Sequence, residues 1–322
     1  MTRKNGLCLA LLGVAVCTSA QTASPKAQTK TTTEAGPPGI AKVLGPFPLY
    51  PGAIPNAKDS ADEEFASRWR DMDFLNKVSR PTYTVYLPPM ARASGASALV
   101  FPGGGYTTLS WEMEGKWIAR DFQDHGLAAI VVKYRLPSDQ TMIDKADGPL
   151  QDAQQALLDV RQNAKSWGLN PEAVGAIGFS AGGHLASMLG VDSGRSLVFN
   201  PESRNLRPDF LVLIYPVISF AEGHVPPDLR QTLLGQNATP DSVRRFSSDL
   251  HVDRATPPTL VMAAGDDMFS SHSLEFYQAL HRAGVPSEII LFDRGQHGFF
   301  GLVGEEWREP MWRWLSRNGW MK

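Results

Sequence analysis

Three short stretches carry residues that could together run acyl transfer: a serine between glycines, a histidine between glycines, and a pair of aspartates. Gly178-Phe179-Ser180-Ala181-Gly182 has the G-x-S-x-G spacing of a turn from strand to helix, tight enough to lift a serine hydroxyl clear of a sheet. A side chain at Gly178 or Gly182 would collide across such a turn. Ser180 then stands at a helix N-terminus, where free N–H groups and the dipole favour a developing negative charge. A serine hydroxyl reacts only when a base takes its proton and a third group orients the base. Gly295-Gln296-His297-Gly298-Phe299 offers the base, and Asp266-Asp267 offer the orienting carboxylate. The other histidines suit this role less well. His125 and His281 fall on helix patterns, His251 and His272 in or near polar loops, and His184 is placed to pack beneath the serine turn. Gly103-Gly104-Gly105 lets backbone come close to a substrate. The N–H groups of Gly103 and Gly104, with that of Ala181, are the expected oxyanion hole. The glycine run fits neither phosphate-loop pattern, since it lacks G-x-x-x-x-G-K-[ST] and opens no G-x-G-x-x-G helix.

The elements that must position these groups alternate along the chain. Tyr83–Leu87, Ala98–Phe101, Leu127–Tyr134, Val174–Phe179, Phe210–Pro216, Pro258–Ala264 and Ser287–Phe292 read as strands, several as unbroken apolar runs buried on both faces. Helical periodicity covers Glu112–Asp124, Pro149–Trp167, Ser273–Ala283 and Trp307–Trp320. Such alternation predicts an α/β fold: a mostly parallel sheet with helices on both faces. The serine, aspartate and histidine loops each follow a strand and so open at one edge of that sheet. Residues 219–256 lack strong periodicity and follow a strand end, which predicts a small cap insertion over the site. Tyr106, Trp111 and Tyr215 are expected to shape the substrate pocket. No repeat or linker divides residues 45–322, so they are expected to form one domain.

The N-terminus differs in composition. Arg3 and Lys4 precede the apolar run Leu7–Val16 and the small residues Thr18-Ser19-Ala20, the layout of a secretory signal peptide too short to span a membrane. Cleavage after Ala20 is expected, with residues 21–44 as a polar, proline-containing linker and the product periplasmic or secreted. Val16 is large for the residue before a lipidated cysteine, so anchoring at Cys17 is not expected. Cys8 and Cys17 are the only cysteines in 322 residues, and a mature chain without them has no disulfide, thiol nucleophile or cysteine metal site. Neither a metal nor an organic cofactor is expected. Loss of Arg3 and Lys4 takes the formal charge from −2 to −4, with no basic cluster, which argues against nucleic acid as a partner.

GFSAGGHLA, FPGGGY, VVKYRLP and RAGVPSEIILFDRGQHGF together resemble the α/β-hydrolase esterases of the acetyl-xylan-esterase and hormone-sensitive-lipase-like group. The order Ser, Asp, His along the chain is also that of an α/β-hydrolase. The resemblance covers roughly residues 45–320. It implies a Ser180–Asp–His297 triad acting on short acyl esters, acetyl groups on plant polysaccharide among them, with small-molecule or polysaccharide esters as partners. Pro102 stands where the lipase subgroup has the histidine of H-G-G-G, which favours the polysaccharide-esterase branch. In similar sequences the acting aspartate precedes a proline. Met268 takes that place here, so Asp267 is expected to orient His297, with Asp266 as the alternative. A serine peptidase on the same fold, or a carbohydrate-binding member without turnover, are the rival readings.

Overall fold

The strands form where apolar runs are cut off by glycine, proline or a polar turn, and their order in space decides where the reactive loops meet. The computed structural model describes residues 41–302 and 304–322, all within one compact unit. The expected signal peptide and most of the expected linker lie outside the described residues. Eleven strands are present among the described residues: β1 (Lys42–Pro48), β2 (Phe65–Trp69), β3 (Met72–Asn76), β4 (Thr82–Leu87), β5 (Ser97–Phe101), β6 (Thr108–Leu109), β7 (Ala128–Lys133), β8 (Val174–Phe179), β9 (Leu211–Ile214), β10 (Thr259–Ala264) and β11 (Ser287–Phe292). Eight of them make the main sheet, in the order β1-β4-β7-β5-β8-β9-β10-β11. From β7 to β11 every neighbouring pair is parallel, while β4 runs antiparallel to both β1 and β7. The linker expected to reach residue 44 stops sooner, because Lys42, Val43 and Leu44 pair with Leu87, Tyr86 and Val85.

Seven α-helices accompany the described strands. They are α1 (Ile118–Asp124), α2 (Gly148–Asn163), α3 (Ala181–Val191), α4 (Pro227–Leu234), α5 (Pro240–Arg245), α6 (Ser270–Ala283) and α7 (Gly304–Arg317). Helix faces cover the sheet on both sides. Leu157 and Val160 of α2, Leu185 and Leu189 of α3, and Phe276 and Leu280 of α6 pack with one set of strand side chains. Phe122 of α1, with Met311, Trp312 and Leu315 of α7, packs with the other. β5, β8, β9 and β10 are buried along their whole length, which is why they carry continuous apolar sequence rather than alternation.

Two local features depart from expectation. The helix read over Glu112–Asp124 begins as a π-helical turn, Trp111–Trp117, and becomes α-helical only at Ile118. The polar stretch before Lys77 holds the β2–β3 hairpin, which joins β6 in a separate three-stranded sheet. The insertion over 219–256 folds as α4, α5 and a short 3₁₀ turn, Ser248–His251. Among the described residues no helix is long and apolar enough to cross a membrane.

Candidate active site

The turn after β8 is as tight as its glycines require. Ser180 sits at φ 51° and ψ −117°, a conformation that costs a non-glycine residue energy and that its surroundings must enforce. Its N–H donates to the Ile214 carbonyl at 3.0 Å, and its own carbonyl accepts from the N–H groups of His184 and Val217. A Cβ at Gly178 would stand 2.1 Å from the Gly182 carbonyl oxygen, and one at Gly182 would stand 2.1 Å from that of Phe101. Only glycine fits either position, so the elbow spacing follows directly from packing.

The parallel strands deliver the other two groups to the same edge. Asp267 follows β10 and His297 follows β11. His297 Nε2 lies 2.8 Å from Ser180 Oγ, and its Nδ1 lies 3.0 and 3.1 Å from the two carboxylate oxygens of Asp267. A carboxylate only accepts, so Nδ1 carries the proton and Nε2 is left to accept from the serine hydroxyl. The Asp267 side chain is fully buried and also accepts from the Phe269 N–H at 2.8 Å. Asp266 is exposed and instead accepts from the Gln296 N–H at 2.8 Å, bracing the histidine loop from outside. The His297 ring rests edge-on against Tyr215 and Phe269, at centroid distances of 5.1 and 5.2 Å.

The glycine loop differs from the sequence reading in one important respect. The Gly103 N–H is not free to meet a substrate. It donates to Oε2 of Glu114 at 2.6 Å, and this corrects its place in the expected oxyanion hole. Gly103 still lies against the serine, since a Cβ added to it would come within 2.9 Å of Ser180 Cβ. For the N–H groups of Gly104 and Ala181 no acceptor is found among the described residues, which leaves them as the candidate donors. Gly104 holds φ +126°, where a Cβ would sit 2.2 Å from the Thr108 carbonyl oxygen.

The expected pocket residues also need correction in part. Tyr106 is only 2% exposed, and its hydroxyl lies 2.7 Å from His184 Nδ1. Tyr215 is buried too, with its hydroxyl donating to Glu114 Oε1 at 2.9 Å. Tyr215 therefore supports the site from behind, whereas Tyr106 lines the cleft beside the glycine loop, as expected, with its hydroxyl committed to His184. Trp111 is half-buried at the start of the π-helical turn and packs against the core on the α1 side. His184 is buried beneath the turn as expected. Its Nε2 lies 2.7 Å from the Phe246 carbonyl, which only accepts, so Nε2 donates and Nδ1 accepts from Tyr106. Burial lowers the His184 pKa to about 4 and keeps the ring neutral.

Glu114 is the residue that sequence reasoning missed. It is buried, and desolvation raises its carboxyl pKa despite the opposing pull of the Gly103 N–H, the Tyr215 hydroxyl and His297. In sequence it stands between Glu112 and Lys116, which pair with each other as i and i+4, so it reads as one more solvated charge. Beside the glycine loop opens a cleft of about 570 Å³ with walls that include Thr107, Ser138, Gln140 and, from α4, Asp228 and Gln231.

Residues 84–280 match the BD-FAE family. An acetylxylan esterase of Xylanibacter ruminicola is 33% identical over 224 residues, which is 64% of this chain and 41% of that protein. Endo-1,4-beta-xylanase B of Butyrivibrio fibrisolvens is 33% identical over 205 residues, 62% of this chain and 32% of the relative. The chain thus spans well under half the length of these two relatives. Among solved structures, an acetyl ester-xyloside bifunctional hydrolase from Caldicellulosiruptor lactoaceticus is 35% identical, with a TM-score of 0.67 over 76% of this chain and 90% of that one. A thermophilic esterase from Thermogutta terrifontis shares the fold at 23% identity, with a TM-score of 0.62 over 84% of this chain and 98% of that one. With the α/β-hydrolase fold in place and well over half its length matched, the chain belongs to the BD-FAE family.

Proposed function

We propose that this protein is a serine esterase that removes short acyl groups, acetyl above all, from a hydroxyl-rich polysaccharide such as xylan. The observation that carries this reading is the continuous contact from Ser180 Oγ through His297 to the buried Asp267 carboxylate. His297 Nε2 takes the hydroxyl proton as Ser180 Oγ bonds to the ester carbonyl carbon. The oxygen that becomes negative is met by the N–H groups of Gly104 and Ala181, at the positive end of α3. The tetrahedral adduct collapses with cleavage of the ester C–O bond, and His297 returns the proton to the departing alcohol. Water, deprotonated by the same imidazole, then attacks the acyl-serine. Acid is released and the hydroxyl restored. Asp267 holds the ring in the tautomer that both halves need and stabilises the imidazolium.

Two features support a saccharide as the alcohol. The 33% identical acetylxylan esterase and the 35% identical acetyl ester-xyloside hydrolase act, by name, on such esters. The cleft beside the glycine loop presents hydroxyl, amide and carboxylate groups alongside Tyr106, Val78 and Leu136, a mixture that suits the hydroxyls and apolar faces of a saccharide. Export, expected from the composition of residues 1–20, is part of this reading and would bring the chain to a polymer outside the cell. Acetate release across acetylated xylan, acetylated pectin and 4-nitrophenyl acetate tests the reading. Turnover of acetylated xylan at a rate comparable to the aryl ester is expected. Hydrolysis of the aryl ester with no acetate from any polysaccharide would remove the polymer from the proposal.

A further inference from the structure

The acyl-transfer steps make no use of Glu114, yet this buried carboxylate sits at the centre of the contacts that hold the glycine loop. Three successive backbone groups of that loop are fixed by named partners. The Pro102 carbonyl accepts from the Tyr134 hydroxyl at 2.6 Å. The Gly103 N–H, on the same peptide, donates to Glu114 Oε2 at 2.6 Å. The Gly103 carbonyl accepts from the Ser110 N–H at 2.9 Å. In a trans peptide the C=O and N–H point in opposite directions. With the Gly103 carbonyl committed to Ser110, the Gly104 N–H is presented on the far side, away from the π-helical turn.

The lock on the first of these peptides depends on a side chain rather than on regular structure. Gly103 and Gly104 have no Cβ to limit their rotation, and a glycine loop left to itself samples many backbone states. Tyr134 holds one end of the Pro102–Gly103 peptide, and Glu114 holds the other. Short bonds to a carboxyl group are among the stronger ones available to a backbone N–H. The π-helical turn makes this possible. Turns of this kind are rare and collect at functional sites. Here the turn carries Glu114 into the interior while Glu112 and Lys116 remain partly exposed in an ion pair. Through Oε1 the same carboxyl group meets the Tyr215 hydroxyl, and the Tyr215 ring packs on His297.

We infer that Glu114 is a positioning residue of the oxyanion hole, fixing the Pro102–Gly103 peptide so that the Gly104 N–H stands ready for the developing oxyanion. It touches neither substrate nor nucleophile and acts only through the loop. This inference rests on the serine-esterase reading above. Its signature is a loss confined to the transition state, because a misplaced oxyanion donor weakens binding of the tetrahedral species and leaves ground-state binding alone.

The test compares Glu114→Leu, which keeps bulk but removes the acceptor, with Glu114→Gln, which keeps an oxygen for the Gly103 N–H. Steady-state kinetics on 4-nitrophenyl acetate are measured with affinity for a small alkyl boronic acid, whose tetrahedral serine adduct places an oxygen in the hole. Glu114→Leu is expected to lose about 10²-fold in kcat, as for removal of one oxyanion donor, with KM within about threefold. Boronate affinity should fall in parallel, and Glu114→Gln should stay within about fivefold of the parent on both measures. If thermal melting shows that Glu114→Leu does not fold, Glu114→Asp takes its place. That carboxylate is one methylene too short for the bond and should show the same split. Unchanged kcat, a loss seen only in KM, or a fall in kcat without a fall in boronate affinity would overturn the inference. Ser180→Ala is run alongside. Activity surviving there would sink the esterase mechanism itself, whereas an inactive Ser180→Ala with wrongly behaving Glu114 variants sinks only the positioning role.

Discussion

Acidification should loosen this protein through two buried histidines that fasten the cap segment to the body. His184 accepts from Tyr106 through Nδ1 and donates to Phe246 through Nε2, while His272 accepts from the Ile218 N–H at 2.8 Å and donates to the His224 carbonyl. Each ring is therefore fitted to its neutral form. Protonating His272 would set one N–H against another at Ile218. Burial lowers both pKa values to about 4, against about 6.5 for a histidine in the unfolded chain. Between pH 6.5 and 4 the unfolded chain binds protons that the native one refuses. Stability contributed by these rings is complete above pH 6.5 and drains away as the pH falls. At pH 5 the deficit is about 1.5 pH units per ring, or about 2 kcal/mol at roughly 1.4 kcal/mol per unit. Asp159 works the other way. Its pKa is raised to about 6 by burial, so its contribution is lost as pH rises through that value. A difference measurement cancels it. Urea unfolding of the wild type and of His184→Gln, which does not titrate and can still donate to the Phe246 carbonyl, should be compared at pH 7 and pH 5. The wild type should lose about 2 kcal/mol more than the variant on acidification. Equal losses would refute the assignment of His184 as a buried neutral ring, and a smaller loss in the wild type would reverse the sign of the linkage.

Two further outcomes follow from named contacts. Asp267→Asn should cost about 10⁴-fold in kcat, as loss of the orienting charge does in a serine-protease triad, while the exposed Asp266→Asn should stay within about tenfold; esterase kinetics that rank them the other way would move the orienting role to Asp266. Asp152→Ala should destabilise the fold by about 3–5 kcal/mol in urea titration, because it strands the buried Arg135 guanidinium with which Asp152 pairs at 2.7 Å; a change under about 1 kcal/mol would mean that the pair is solvated.

Much of this architecture is legible in the amino-acid sequence, for a physical reason. Val174–Phe179 is apolar and buried along its whole length and stops at the serine turn, and Ser287–Phe292 ends where its apolar run Ile289–Phe292 ends, because a strand in a parallel sheet is bounded by the turns on either side. The meeting of Ser180, Asp267 and His297 follows from the same topology, since loops at one end of parallel strands converge. The β2–β3 hairpin is another matter. Phe65–Trp69 is exposed throughout and pairs on one side only, so its sequence shows no burial pattern that would mark a strand. The two largest corrections, Gly103 and Glu114, are a single event seen from both ends. Neither residue announces the bond between them, because it depends on a π-helical turn that shifts helical register by a fraction of a turn. Tyr215 turns its hydroxyl to Glu114 rather than to a substrate for a related reason. Aromatics beside a reactive loop can face the substrate or brace the loop, and the chain alone does not say which way a side chain turns.

The most direct test of the central claim is covalent. The protein is treated with a small organophosphate and digested, and the modified peptide is sequenced by mass spectrometry, with Ser180→Ala in parallel. One adduct is expected, on Ser180, with its formation matching the loss of esterase activity. Ser180→Ala should take up no label and should fall in turnover on the order of 10⁶-fold. An adduct on another residue that tracks inactivation, or a Ser180→Ala variant retaining more than a few per cent of activity, would contradict the nucleophilic role of Ser180.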